Sequence, residues 1–107
     1  EEFKAHIGFM MDFVAELTRT GELVLAEGLD MPANAKTVQA SRADAPEVTD
    51  GPFAETKEFL AGFWIVDCES QKRAIEIAAK ASTAPGKGGA PMGIPIEIRQ
   101  VMSAPSV

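Results

Sequence analysis

Cysteine and histidine are nearly missing: Cys68 and His6 each stand alone among 107 residues. A lone thiol cannot close an internal disulfide, which suits a reducing cytoplasm, the compartment expected here. One His and one Cys far apart in sequence match no zinc spacing, so no metal site is expected. Basic charge is also short. Ten Lys and Arg face sixteen Asp and Glu, for a net charge of -6. Such a chain repels phosphate backbones and anionic lipid, which argues against nucleic-acid and membrane-surface partners and favours solubility. No apolar run reaches the roughly 18 residues that a membrane span needs. The opening Glu1-Glu2-Phe3-Lys4 is acidic and mixed, unlike a signal peptide, and its lack of Met points to a start further upstream.

Hydrophobic residues make up 46% of the chain, including six Phe, five Met and one Trp. The length suits one domain over residues 1–107 with a modest core, which a second copy could enlarge by sharing. Apolar spacing of three and four through Phe3, Ile7, Met10, Met11, Val14 and Leu17 predicts a helix over 2–20, with Phe9 and Phe13 widening the stripe. Asp12, Glu16 and Arg19 belong to its wet face, and Gly21 is a natural stop. Residues 23–29 predict a strand that places Leu23, Leu25, Glu27 and Leu29 on one face. A short strand over 37–40 is expected to pair back on it, and Thr49-Asp50-Gly51-Pro52 reads as a turn. Residues 59–68, almost continuously apolar, predict a central strand buried on both faces. Ser70 is the N-cap of a helix over about 71–82, whose apolar side holds Ala74, Ile75, Ile77, Ala78 and Ala81. A Gly- and Pro-rich loop over 83–93 leads to a last strand over 94–102, with Ile94, Ile96 and Ile98 on one face and Glu97 and Arg99 on the other.

The run Thr49-Asp50-Gly51-Pro52-Phe53-Ala54-Glu55-Thr56-Lys57-Glu58, followed by Ala61-Gly62-Phe63-Trp64-Ile65-Val66-Asp67, resembles the signature of the DGPF group of YciI-related proteins. Leu25-Ala26-Glu27-Gly28-Leu29, the Ser70 helix and the Pro-Ile-Glu-Ile-Arg stretch from Pro95 fit the same pattern, so the resemblance covers nearly the whole chain. It implies a ferredoxin-like α+β fold: an antiparallel sheet with two helices on one face, two subunits packed sheet to sheet as a dimeric α+β barrel, and a cleft between helices and sheet. The element order lacks the first strand of that plan, and a strand ahead of Glu1 is expected. The wider family is known for a His and Asp pair proposed as catalytic. Counted back from the Glu27-Gly28-Leu29 strand, the family His falls nearer Met11 than His6, so His6 is not its equivalent.

Asp50 and Glu27 are the candidate catalytic residues. Asp50 is either an acid–base or ligand-binding carboxylate at the cleft mouth or a turn cap that accepts backbone N–H bonds. Glu27 shares its face with leucines, which is costly unless the carboxylate is paired or opens on a pocket. Its plain readings are an ion pair with Arg99 or Lys57, or a face less buried than the pattern suggests. Glu55, Lys57 and Glu58 form either a polar ligand site or a solvated face. His6 stands alone on a helix flank and reads as an ordinary surface or half-buried residue. The Gly86-Lys87-Gly88-Gly89 loop lacks the spacing of a phosphate-binding loop and reads as a flexible connection, with no cofactor expected. Cys68 has no flanking His or Lys and reads as an inert thiol. Phe63 and Trp64 fall on opposite faces of the central strand, so one of them is expected at a homodimer contact.

Three readings follow, of which the plainest is a structural remnant whose dimer is its only specific interaction. The second is a small cleft enzyme acting on a small organic molecule through carboxylate acid–base groups. The third is a non-catalytic dimeric binding or regulatory module. The resemblance links it to sigma-factor-controlled transcription, because some genes of the group lie beside sigma-factor genes.

Overall fold

The computed structural model describes residues 2–51 and 60–102. Its helices are α1 (Glu2–Thr20) and α2 (Gln71–Ser82), and its strands are β1 (Leu23–Gly28), β2 (Lys36–Gln39), β3 (Glu47–Asp50) and β4 (Gly62–Val66). β1 pairs with β4 and β2 with β3. This is an α+β chain with two helices and two antiparallel two-stranded sheets, compatible with a ferredoxin-like plan. The residues form two compact units, one of residues 1–24 with 65–107 and one of Leu25–Trp64.

The ends of both helices follow local chemistry. At the close of α1, Gly21 takes φ +80, its N–H bonds Thr18 O at 3.1 Å, and the Glu22 N–H bonds Leu17 O at 3.0 Å. That pair of bonds is a Schellman cap, and its left-handed residue has to lack a Cβ to avoid strain. At the start of α2, Ser70 is extended and its hydroxyl accepts the Arg73 N–H at 3.1 Å, the N-cap bond that its side chain predicts.

All five buried apolar residues among those described lie in the first unit: Phe13 and Leu17 on α1, Ile77 and Ala81 on α2, and Ala84 just beyond. The face that α1 buries is rotated from the expected stripe. Phe13, placed on the flank by spacing, is 2% exposed, whereas Phe3, Ile7 and Met11 are 75%, 42% and 68% exposed. The buried line runs through positions 6, 9, 10, 13 and 17, another i, i+3, i+7 register of the same apolar-rich helix. The Phe9 and Phe13 rings stack within it, with centroids 6.3 Å apart. Glu16, expected on the wet face, is half-buried and pairs with Lys80 of α2. Ile75, expected on the apolar side of α2, is exposed.

The strands depart further from expectation. The segment expected to pair back on β1 is β2, and it pairs with β3 instead, in the register Lys36↔Asp50, Thr37↔Thr49, Val38↔Val48 and Gln39↔Glu47. β3 had been concealed by its polar composition and by the turn signal at its end. Thr49 and Asp50, the first two residues of the expected turn, belong to β3; Gly51 follows the strand with its N–H bonded to Ala35 O at 2.8 Å, and Pro52 lies outside the described residues. β4 is shorter than 59–68 and half-buried throughout rather than buried on both faces. Its Gly62 meets β1 closely: a Cβ there would lie 2.7 Å from Glu27 O, so only glycine fits the approach. Residues 94–102, expected as the last strand, form none among the described residues, because no neighbouring strand supplies a ladder.

Candidate functional site

Asp50 ends β3, and its carboxylate accepts a hydrogen bond from the Lys36 ammonium directly across the ladder. The pair is open to water, with Lys36 62% and Asp50 84% exposed. Asp50 is thus a strand-end residue held by a cross-strand ion pair, and no backbone N–H among the described residues caps on it. Exposed pairs of this kind add little stability. Glu27 lies on β1 and is exposed. Of the leucines on its face Leu23 is half-buried, whereas Leu25 and Leu29, its neighbours on either side, are 40% and 47% exposed, so the carboxylate meets water rather than a closed apolar face. Arg99, one of its expected partners, pairs with Glu97 at 3.0 Å. Lys57, the other, lies outside the described residues, as do Glu55 and Glu58. No hydrogen bond or ion pair among the described residues joins Asp50 to Glu27. An open hollow of about 290 Å³ at the end of the β2–β3 hairpin is lined by Gln39, Ala40, Ser41, Ala45 and Glu47, and neither candidate carboxylate borders it.

His6 is half-buried, with Nδ1 3.3 Å from the Pro85 carbonyl. That contact holds α1 to a tightly closed loop, in which Gly86 N–H bonds Ala90 O, Met92 N–H bonds Ala84 O and Gly93 N–H bonds Ser82 O. The Gly86–Gly89 stretch, expected as a flexible connection, is the tip of a loop closed by these backbone bonds. Cys68 is half-buried and its thiol donates weakly to the Ser70 carbonyl at 3.5 Å. Among the described residues, no three His, Cys, Asp or Glu side chains gather to hold a metal ion, and no helix is long and apolar enough to cross a membrane.

The strongest electrostatic arrangement lies elsewhere. Arg73 of α2 donates through Nε and Nη2 to the two oxygens of Glu22, at 2.9 and 2.8 Å, in a bidentate fork. The Thr20 hydroxyl adds a 2.8 Å bond to the same carboxylate, and Arg73 Nη1 reaches Glu76 at 3.4 Å. Hydrogen bonds from Arg73, then from Thr20, hold the Glu22 carboxyl down at about 2, and the Glu22 bonds raise the Arg73 guanidinium. The Lys80 hydrogen bond likewise lowers Glu16. Both pairs tie α2 to α1 or to the residue just past its cap. Sequence reasoning missed them, since 51 and 64 residues separate the partners. The one local sign was Arg73 at the third position of a helix, close behind its cap.

The family model described as YCII-related domain matches residues 1–89. An uncharacterized protein of Rhizobium meliloti (strain 1021) is 43% identical over 54 residues, which is 50% of this chain and 44% of that protein. The chain thus spans under half the length of the curated relative it matches.

Proposed function

This chain belongs to the YCII-related domain family, and from that premise we propose that it is a dimerising module that binds a small molecule without acid–base chemistry by Asp50 and Glu27. Within the family we place it in the DGPF group, on Asp50-Gly51-Pro52-Phe53. The observation that carries the reading is the balance of apolar surface. Among the described residues sixteen large hydrophobics are exposed against five apolar residues buried. Apolar side chains left open in this number support the reading of a contact surface, for which a second copy is the simplest cover. Sheet-to-sheet packing, the arrangement the resemblance implies, is one way to provide it. The two candidate carboxylates support an enzyme less well. A proton-transferring pair has to converge on one enclosed substrate, whereas Asp50 is engaged by Lys36 in open water and Glu27 faces solvent on another strand.

A thermal-shift screen of the wild-type chain, Asp50→Asn and Glu27→Gln against a metabolite library tests this. A ligand at about 100 times its Kd adds roughly 2.7 kcal/mol of stability. The binding module predicts a ligand whose shift survives both substitutions with no chemical change to the ligand. A shift lost in both variants, together with turnover by the wild type, overturns it in favour of the cleft enzyme.

A further inference from the structure

We propose that the Asp50–Gly51 peptide unit is a modification site, where Asp50 rearranges into an isoaspartyl link at a rate set by the β2–β3 ladder. The chemistry needs an Asp or Asn followed by a residue with no side chain to obstruct the approach. Of the five Asp and one Asn in the chain, only Asp50 precedes a glycine. Space around that glycine is open, since a Cβ built on it meets no atom of the described residues within 4 Å. The Asp50 side chain is 84% exposed, so water reaches it. The step balances with water alone. The Gly51 backbone nitrogen attacks Cγ of Asp50. An N–C bond forms, the nitrogen gives up its proton, and a carboxyl oxygen leaves as water, closing a cyclic imide. Water then opens the ring. Cleavage between the nitrogen and Cγ restores Asp50. Cleavage at the main-chain carbonyl leaves Cγ joined to Gly51 and frees an α-carboxylate. The mass is unchanged, but Cβ of Asp50 now lies in the backbone, and the extra atom breaks the register at Lys36↔Asp50.

The hairpin opposes ring closure in three ways. The Gly51 N–H is bonded to Ala35 O at 2.8 Å, so the attacking nitrogen is engaged. The Lys36 ammonium holds the Asp50 carboxylate across the ladder, away from that nitrogen. Residue 50 is in strand conformation, whereas closure needs its ψ turned until the side chain meets the next nitrogen. All three restraints are released together when this end of the hairpin opens. The ladder holds four residue pairs in a sheet of two strands, and every residue of both strands but Thr37 is exposed. A hairpin so short and so little buried opens at low cost.

The test follows isoaspartyl formation over weeks at neutral pH, by methyltransferase labelling of the new α-carboxylate and peptide mapping. It compares the wild type, native and unfolded in urea, with native Lys36→Met and Val48→Ser, each checked for folding by its melting curve. Lys36→Met removes the ammonium, and Val48→Ser weakens the Val38↔Val48 pair next to it. Label should appear at position 50, fastest in the unfolded chain, slowest in the native wild type, and several-fold faster in each variant than in the native wild type. Hydrogen exchange at the Gly51 amide should quicken in the variants in step with the label. Asp50→Glu, whose longer side chain cannot close the same ring, should stay unlabelled there. An unfolded chain without label at position 50, or a native wild type with none or with as much as the unfolded chain, overturns the proposal. Variants in which label and Gly51 exchange do not rise together overturn the control by the ladder.

Discussion

At the scale of single residues, Glu22 stands out among the described residues for the fork that holds it. Its carboxyl lies at about 2 rather than the ordinary 4.5, because Arg73 and Thr20 bond its charged form. A depressed carboxyl stabilises the fold above its unfolded pKa and loses that contribution as pH falls through its folded value. The stability supplied by this pair is therefore full above about pH 4.5 and drains away toward about pH 2. Glu22→Gln should melt lower than wild type at pH 7 and show a flatter decline on acidification, read from melting curves between pH 7 and 2. Equal slopes for the two proteins would show that the fork contributes nothing. None of this was legible in advance, since an ion pair 51 residues apart in sequence leaves no local mark. Asp50 and Glu27 stood out as residues, but their surroundings did not. Asp50 meets a Lys on a strand that was expected to pair elsewhere.

At the scale of elements, what was legible is what neighbours in sequence decide. Gly21 ends α1 through its positive φ, and Ser70 starts α2 through its hydroxyl; both were plain from residue type. Strand pairing is non-local, and there expectation failed. β3, Glu47-Val48-Thr49-Asp50, has one apolar residue in four and no alternation to announce it. The hairpin's cross-strand pairs, Val38↔Val48 and Lys36↔Asp50, exist only once its register is known. Where β1 and β4 meet, a close backbone approach explains a glycine inside an apolar strand. Gly62→Ala should destabilise the chain by about 1–3 kcal/mol, since the new methyl group would stand 2.7 Å from a backbone oxygen that cannot swing aside. Denaturant unfolding checks this, and an unchanged midpoint would mean that the strands part at no cost.

At the scale of the whole molecule, the α+β character and the family were both legible, because the Asp50–Asp67 stretch and the flanking elements agree with one another. The outer surface was less so. Apolar patterns state which residues want burial, not whether this chain alone can provide it. Val24, Leu25, Leu29, Val38 and Ile98 all read as strand residues and all stand exposed in the single chain. A small domain with few fully buried side chains gains most from sharing surface with a copy of itself. Sedimentation velocity of the purified chain over a range of concentrations tests that need. A species of about twice the 11.4 kDa chain mass, persisting on dilution into the low micromolar range, is the result expected of a dimerising module. A single species at the monomer mass throughout would contradict it.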